Sequence, residues 1–287
     1  MSIDPRVVIA LASCLALLFA VERVSVLRRR TRPLLGRLLI NAVISLLAFV
    51  AAALLVRPAA SAAMQWTTEA PFGLIHVMAM PVAAQFLVAV LAMDLTFYWW
   101  HVANHRIPVL WRFHNVHHID PDLDVSTAFR FHAGEVAFSA GFRVVQVAAI
   151  GLPAWMFLAY ELAFQINTMF HHSNIRLPIR VERVLNLVLV TPRMHGIHHS
   201  QVRDETDSNY SVVFSWWDRL HRTLGLNIPQ ADIVIGVPAY ANAEDNRLWN
   251  ALRLPFRRQR DYWRRPDGTV VQRHRRDGPS RPSRLAE

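Results

Sequence analysis

The chain has 287 residues, 53% of them hydrophobic, and a formal net charge of +10. Every basic residue is arginine, because the sequence contains no lysine, and this excludes chemistry through a lysine Schiff base. The single cysteine, Cys14, excludes a disulfide framework.

Apolar residues are gathered into runs. Val7 to Val21 carries no charge, and Leu38 to Val56 is interrupted only by Asn41 and Ser45. Each run approaches the length that crosses about 30 Å of hydrocarbon at about 1.5 Å per residue. Glu22 and Arg23 follow the first run without a small-residue cleavage pattern, so it reads as a span rather than a removed signal peptide. Arg57 to Met80 is expected to be a short surface helix or irregular segment, with Trp66 and Phe72 suited to the headgroup region. Pro81 to Trp100 forms a third run, broken only by Gln85, Asp94 and Thr96. Val144 to Phe170, interrupted at Gly151 and Pro153 and carrying Glu161, fits a hairpin that turns inside the bilayer. The fold expected is all-α: an integral membrane bundle of about four transmembrane segments with a histidine-rich metal-binding cap.

Arginines cluster at Arg28 to Arg32, around Arg176 to Arg183, and from Arg253 to Arg284. The positive-inside rule puts these on the cytoplasmic side, and the cap and C-terminus with them. Attraction to anionic lipid headgroups accounts for the basic tail without nucleic acid as a partner. From about Arg257 the low apolar content predicts a loosely ordered end. Three regions result: an N-terminal transmembrane hairpin with its outside loop (1–80), a catalytic domain (81–225) and a basic tail (226–287).

Eleven of the 14 histidines fall between positions 101 and 199. Eight form three clusters: His101 and His105 in HVANH; His114, His117 and His118 in HNVHH; His195, His198 and His199 in HGIHH. On a helix, positions three and four apart share a face, so these spacings aim several ring nitrogens at one point. Packed imidazoles repel when protonated and gain little from burial when neutral, whereas metal ligation makes the grouping favourable. Structural zinc is complete with four ligands, so eight or more imidazoles suit two ions, and iron with open positions suits oxygen activation better than zinc. Zinc could take the same ligands in a purified sample. Asp94 precedes His101 by seven residues on the same helical stripe, where its carboxylate would accept a hydrogen bond from a ligand imidazole. His76, His221 and His274 stand alone and read as ordinary packed residues.

The segments DLTFYWWHVANH, LWRFHNVHHID, STAFRFHAGE, FHHSNIRLP, MHGIHHS and SNYSVVFSWWDRL, between Asp94 and Gly225, resemble the fatty acid hydroxylase and sterol desaturase superfamily. The resemblance implies a membrane-bound non-haem di-iron enzyme that uses O2 to hydroxylate or desaturate a fatty acyl, sterol or isoprenoid lipid. It makes the eight clustered histidines metal ligands and adds His172 of the HSN triplet as a ninth. His132, His171 and Asn174 are then set around the ligands or serve as further ones. No haem domain or nucleotide fingerprint is visible, so electrons must come from an external ferredoxin- or cytochrome-type donor. The competing reading is a histidine-rich membrane metal-binding or metal-transport protein without oxygenase activity. Transport requires ligands at mid-membrane, whereas these gather on one side.

Overall fold

The computed structural model describes residues 4–77 and 79–273, and these form an all-helical molecule. Asp4 opens α1 (Pro5–Val24), its carboxylate accepting the Arg6 N–H at 2.8 Å, with Pro5 in the first turn where its missing N–H costs nothing. The α1–α2 turn is followed by α2 (Leu34–Ala51), which does not stop at Val56. It runs through a π-helical turn at Ala52–Val56 straight into α3 (Arg57–Glu69). Pro58 cannot donate to the carbonyl four residues back and its ring crowds that carbonyl; the wider π turn is where the helix absorbs the mismatch. The stretch expected as a short surface helix or irregular segment is thus largely a continuation of the second span. Trp66 and Phe72 do pack together beyond it, with ring centroids 5.3 Å apart.

A short α4 (Leu74–Val77) leads to α5 (Val82–Arg106), and the extended backbone at Ile107 then turns the chain into α6 (Pro108–His118). After a 3-10 turn at Val125–Phe129, α7 (Ala133–Ile150) and α8 (Ala154–His172) follow each other across the break at Gly151 to Pro153, but α7 begins eleven residues earlier than Val144 and is by itself long and apolar enough to cross a membrane. Gly151 closes α7 in the left-handed region at φ 81°, and a Cβ there would meet the Phe72 carbonyl at 2.4 Å. Only glycine fits. Among the described residues, four helices are long and apolar enough to cross a membrane: α1, the Leu34–Val77 rod, α5 and α7. Leu17, Leu46 and Leu54 are each more than 60% exposed on them, an arrangement water would penalise and lipid would not.

The remaining helices are short: α9 (Ile179–Leu185), α10 (Pro192–His198), α11 (Arg203–Thr206), α12 (Trp216–His221) and α13 (Leu248–Arg253). They cover the ends of α5, α6 and α8 where the histidines lie. The α1–α2 turn lies on this same side. Thr31 and Arg32 donate backbone N–H groups to the Asp122 carboxylate at 2.7 and 3.0 Å, and Leu27 donates to the Asn174 carbonyl at 2.9 Å. Glu22 at the end of α1 accepts the N–H groups of Val125 and Asn174, while buried Arg37 pairs with Asp120 at 2.9 Å and with Asp124. Arg130, fully buried, donates to the Val116 carbonyl and to Asn41. The acidic run after HNVHH is thereby neutralised and fastened to the first two spans. Residues 226–273 fold back over α6, with Trp263 stacked on Trp111 at 6.1 Å between centroids. Residues 274–287, which include His274 and the arginines from Arg275 to Arg284, lie outside the described residues.

Candidate metal centre

Four helix ends deliver the imidazoles. His101 and His105 project from the last turns of α5, three histidines come from the end of α6, His172 from the end of α8, and the last cluster from α10 and its C-cap. They sort into two groups. One holds His101, His105, His114, His118 and His198; the other holds His117, His172, His195 and His199. Within each, one ring nitrogen per residue lies within 4.8 Å of all the others. All nine histidines expected as ligands are brought together. The sequence neighbours His117 and His118 serve different groups, as do His198 and His199, and the His118 and His199 rings stack at 4.4 Å between the two.

Hydrogen bonds to the outer ring nitrogen fix the tautomers of four rings. His101, His198 and His172 donate from Nδ1 to the carbonyls of Tyr210 (2.7 Å), Ser208 (2.7 Å) and Thr168 (2.8 Å), and His114 donates from Nδ1 to Glu135 Oε1 at 2.8 Å. A neutral ring that donates from Nδ1 presents a bare lone pair at Nε2. The Nε2 of His172 nevertheless lies 3.1 Å from that of His117 and 3.0 Å from that of His195, and His195 and His199 are equally close at 3.1 Å. Two nitrogens bound to one ion at about 2.1 Å stand about 3.0–3.4 Å apart at angles between square and tetrahedral, so this crowding is what a shared cation requires. Orphaned atoms point the same way: Nε2 of His105 and His198 is buried without a hydrogen-bond partner. Such groups are rarely left unsatisfied in a folded interior. The donor set therefore fits metal ions in both groups.

Burial, and then the neighbouring rings, hold His117, His118, His195 and His199 well below the ordinary histidine range, and burial brings His198 down to about 3. At neutral pH these rings are uncharged, the form that ligates.

The outer residues are placed differently from expectation. Asp94 reaches no imidazole, because seven residues of helix separate it from His101 by about 10 Å. Its carboxylate instead accepts from Tyr160 Oη (2.9 Å), the N–H groups of Val213 and Phe214, and Trp217 Nε1 (2.8 Å). Asp218 similarly accepts the N–H groups of Tyr210 and Ser211. Two buried carboxylates thus pin the 210–217 loop whose Tyr210 carbonyl orients His101. His132 caps α7: its Nδ1 accepts from Gly134 N–H and its Nε2 donates to the Leu252 carbonyl, which leaves no nitrogen for a metal. Asn174 is also occupied, its side chain pairing with both backbone groups of Arg28. His171 lies against the second group, its ring 4.1 Å from that of His195, but belongs to neither. His76 and His221 donate to the carbonyls of Gly151 and Trp217 as ordinary packed residues.

Sequence reasoning missed Glu135. The signal was present, an acid in the first turn of an apolar helix directly after a histidine motif. Replacing Glu135 by alanine should weaken metal affinity by about 10–100-fold, the usual effect of losing a hydrogen bond behind a ligand imidazole. Chelator competition on the purified protein reads this directly, and unchanged retention would show that Glu135 does not support His114.

A cavity of about 260 Å³ adjoins both groups. His101, His114, His117, His172 and His195 form one end, and Phe49, Ala52 and Val56 from the α2–α3 rod form a wall whose outer surface is exposed.

Helices able to cross a membrane, two groups of buried imidazoles each able to hold an ion, and an adjoining apolar cavity define a membrane-type metalloprotein architecture. Residues 86–223, just under half of the chain, match the family model for fatty acid hydroxylase. The chain is 29% identical over 140 residues to ornithine lipid hydroxylase OlsE of Rhizobium tropici, covering 49% of this chain and 41% of that protein. It is 31% identical over 138 residues to alkylglycerol monooxygenase of Homo sapiens, covering 47% and 29%. A cholesterol 25-hydroxylase-like protein of Caenorhabditis elegans is 22% identical over 182 residues, covering 61% and 56%. Each match thus covers less than two thirds of the relative's length. No solved structure matches the chain.

Proposed function

We propose that this protein is a membrane-bound lipid oxygenase with a di-iron centre, which hydroxylates or desaturates a C–H bond of a fatty acyl, sterol or isoprenoid substrate. The observation that carries the reading is the cavity that joins both histidine groups to an apolar wall on the lipid-facing side of the bundle. Names of the relatives, each a lipid hydroxylase or monooxygenase, support it. His101, His105, His114, His118 and His198 would hold one iron, and His117, His172, His195 and His199 the other. Iron bound there would supply the redox chemistry of O2 reduction by two electrons and two protons: hydroxylation places one oxygen atom in the substrate and releases the other as water, whereas desaturation takes two hydrogens from the substrate and releases both oxygen atoms as water.

The chain's own part is positional. Tyr210, Ser208 and Thr168 carbonyls and the Glu135 carboxylate keep the Nδ1 protons in place, so that Nε2 faces inward in His101, His198, His172 and His114. Phe131 stacks on His117 at 4.6 Å and, with Phe97, Trp100 and Phe164, gives the cavity an apolar lining that limits water. A lipid enters without crossing water. The cap, residues 226–273 and the α1–α2 turn share one side; the arginine bias assigns that side, and the C-terminus with it, to the cytoplasm, where a ferredoxin- or cytochrome-type carrier would deliver electrons. Residues 81–225 act as the catalytic domain, with 1–80 as the membrane hairpin and 226–287 as the basic tail.

Protein purified from iron-supplied cells should contain two irons per chain with a coupled di-iron Mössbauer signature. A single ion, or a signature of isolated iron, would overturn the dinuclear reading. Adding NADPH without a carrier should give no turnover.

A further inference from the structure

One charged pair lies far from the histidines yet lines the same cavity. Arg143 of α7 donates to Glu161 of α8 at 2.5 Å, and both border the space that ends at the imidazoles. Along α7, Arg143 is eight residues beyond Glu135, and along α8, Glu161 is eleven residues before His172. At helical rise the pair is about 12–16 Å from the histidine level. Ionisable groups at that depth in an apolar bundle are costly, and they commonly mark a functional contact.

Exposure shows which partner is available. The Arg143 side chain is 8% exposed, with its guanidinium donating also to Gln146 and sitting 4.2 Å from the Phe97 ring centroid. Glu161 is 23% exposed, and among the described residues only its Oε1 accepts a hydrogen bond. The cavity therefore meets an acceptor with spare capacity, held in place by a guanidinium that is itself covered. A free carboxylate would meet repulsion there, and a bare hydrocarbon would leave Oε2 dry and unpaired.

We infer that Glu161, positioned by Arg143, is a recognition point for a neutral lipid carrying a hydroxyl or amide N–H about 12–16 Å from the carbon that reacts. This rests on the cavity being the substrate site, and it narrows the substrate to lipids with a hydrogen-bond donor at that spacing. Glu161 thus sets specificity and the position of attack.

The test is equilibrium binding of three probes of equal chain length, hexadecanol, methyl palmitate and palmitate, to purified protein in nanodiscs. Wild type should bind hexadecanol at least about tenfold more tightly than either other probe, the scale of one hydrogen bond to a charged group. The double variant Arg143→Leu/Glu161→Leu exchanges a buried ion pair for apolar residues, a change that proteins tolerate; it should bind hexadecanol and methyl palmitate equally. Glu161→Gln keeps an acceptor and should keep a preference for hexadecanol. Equal binding of the probes by wild type, or an undiminished preference in the double variant, would overturn the inference. Loss of the preference in Glu161→Gln as in the double variant would also count against it, since a purely structural ion pair behaves that way. Turnover is scored separately: discrimination without oxidation would sink the oxygenase reading alone, and oxidation without discrimination this inference alone.

Discussion

Replacing His117 by alanine should eliminate the oxidised lipid from cells that make this protein. In cells carrying the intact chain, lipidomics should show a species heavier by one oxygen or lighter by two hydrogens than its precursor. In His117→Ala cells that species should fall by at least about 100-fold, because loss of even an outer hydrogen bond to a ligand costs 10–100-fold. Among the described residues His117 is one of four imidazoles in its group, with its Nε2 3.1 Å from that of His172, so its loss would leave that ion three histidine ligands. His221→Ala, which removes a ring stacked on Tyr98 outside both groups, should retain most of the product. Persistence of the product in His117→Ala would remove the histidine centre from the mechanism.

Acid should unfold the metal-free protein steeply, starting near pH 6.5. His117, His118, His195, His198 and His199 are depressed in the folded state from an ordinary value of 6.5, so the unfolded chain binds more protons below that pH. Stability therefore rises with pH through this window and is fully present above it. As pH falls it is lost, at up to about 1.4 kcal/mol per pH unit for each ring, down to the folded pKa, which for His198 is about 3. Denaturant midpoints of chelator-treated protein measured between pH 8 and 5 would show it. A flat profile would mean that the rings are not buried as a neutral cluster. Bound metal should delay the loss to lower pH, because ligation holds the same lone pairs against protons.

The histidines were legible because helical spacing is a short-range property: HVANH, HNVHH and HGIHH state in sequence which rings share a face. Their division into two groups was not. His117 and His118 are adjacent and point to different groups, a choice made by how α6 packs against α8 and α10 rather than by the motif. The partners that orient the rings were hidden for a related reason, since the Tyr210, Ser208 and Thr168 contacts are backbone carbonyls with no residue signature. Asp94 showed that a buried acid mattered, yet its partners lie more than 60 residues away in the chain. Arg37 and the acids after HNVHH were likewise invisible as a clasp, because charge pairing over some 85 residues depends on the fold it helps to build. The first three spans were evident from hydrophobic length, although the π turn before Pro58 extended the second past its expected end; the fourth, α7, begins at Ala133 rather than Val144.

The interleaving of His117 with His118, and of His198 with His199, bears on how the two ions of the proposed centre would be taken up. Ordering the end of α6 and the α10 corner around one cation also sets most of the cage for the other, so the first arrival prepays the entropy of the second. Half-filled molecules would be scarce at equilibrium, and the chain would pass from empty to doubly loaded over a narrow range of free metal.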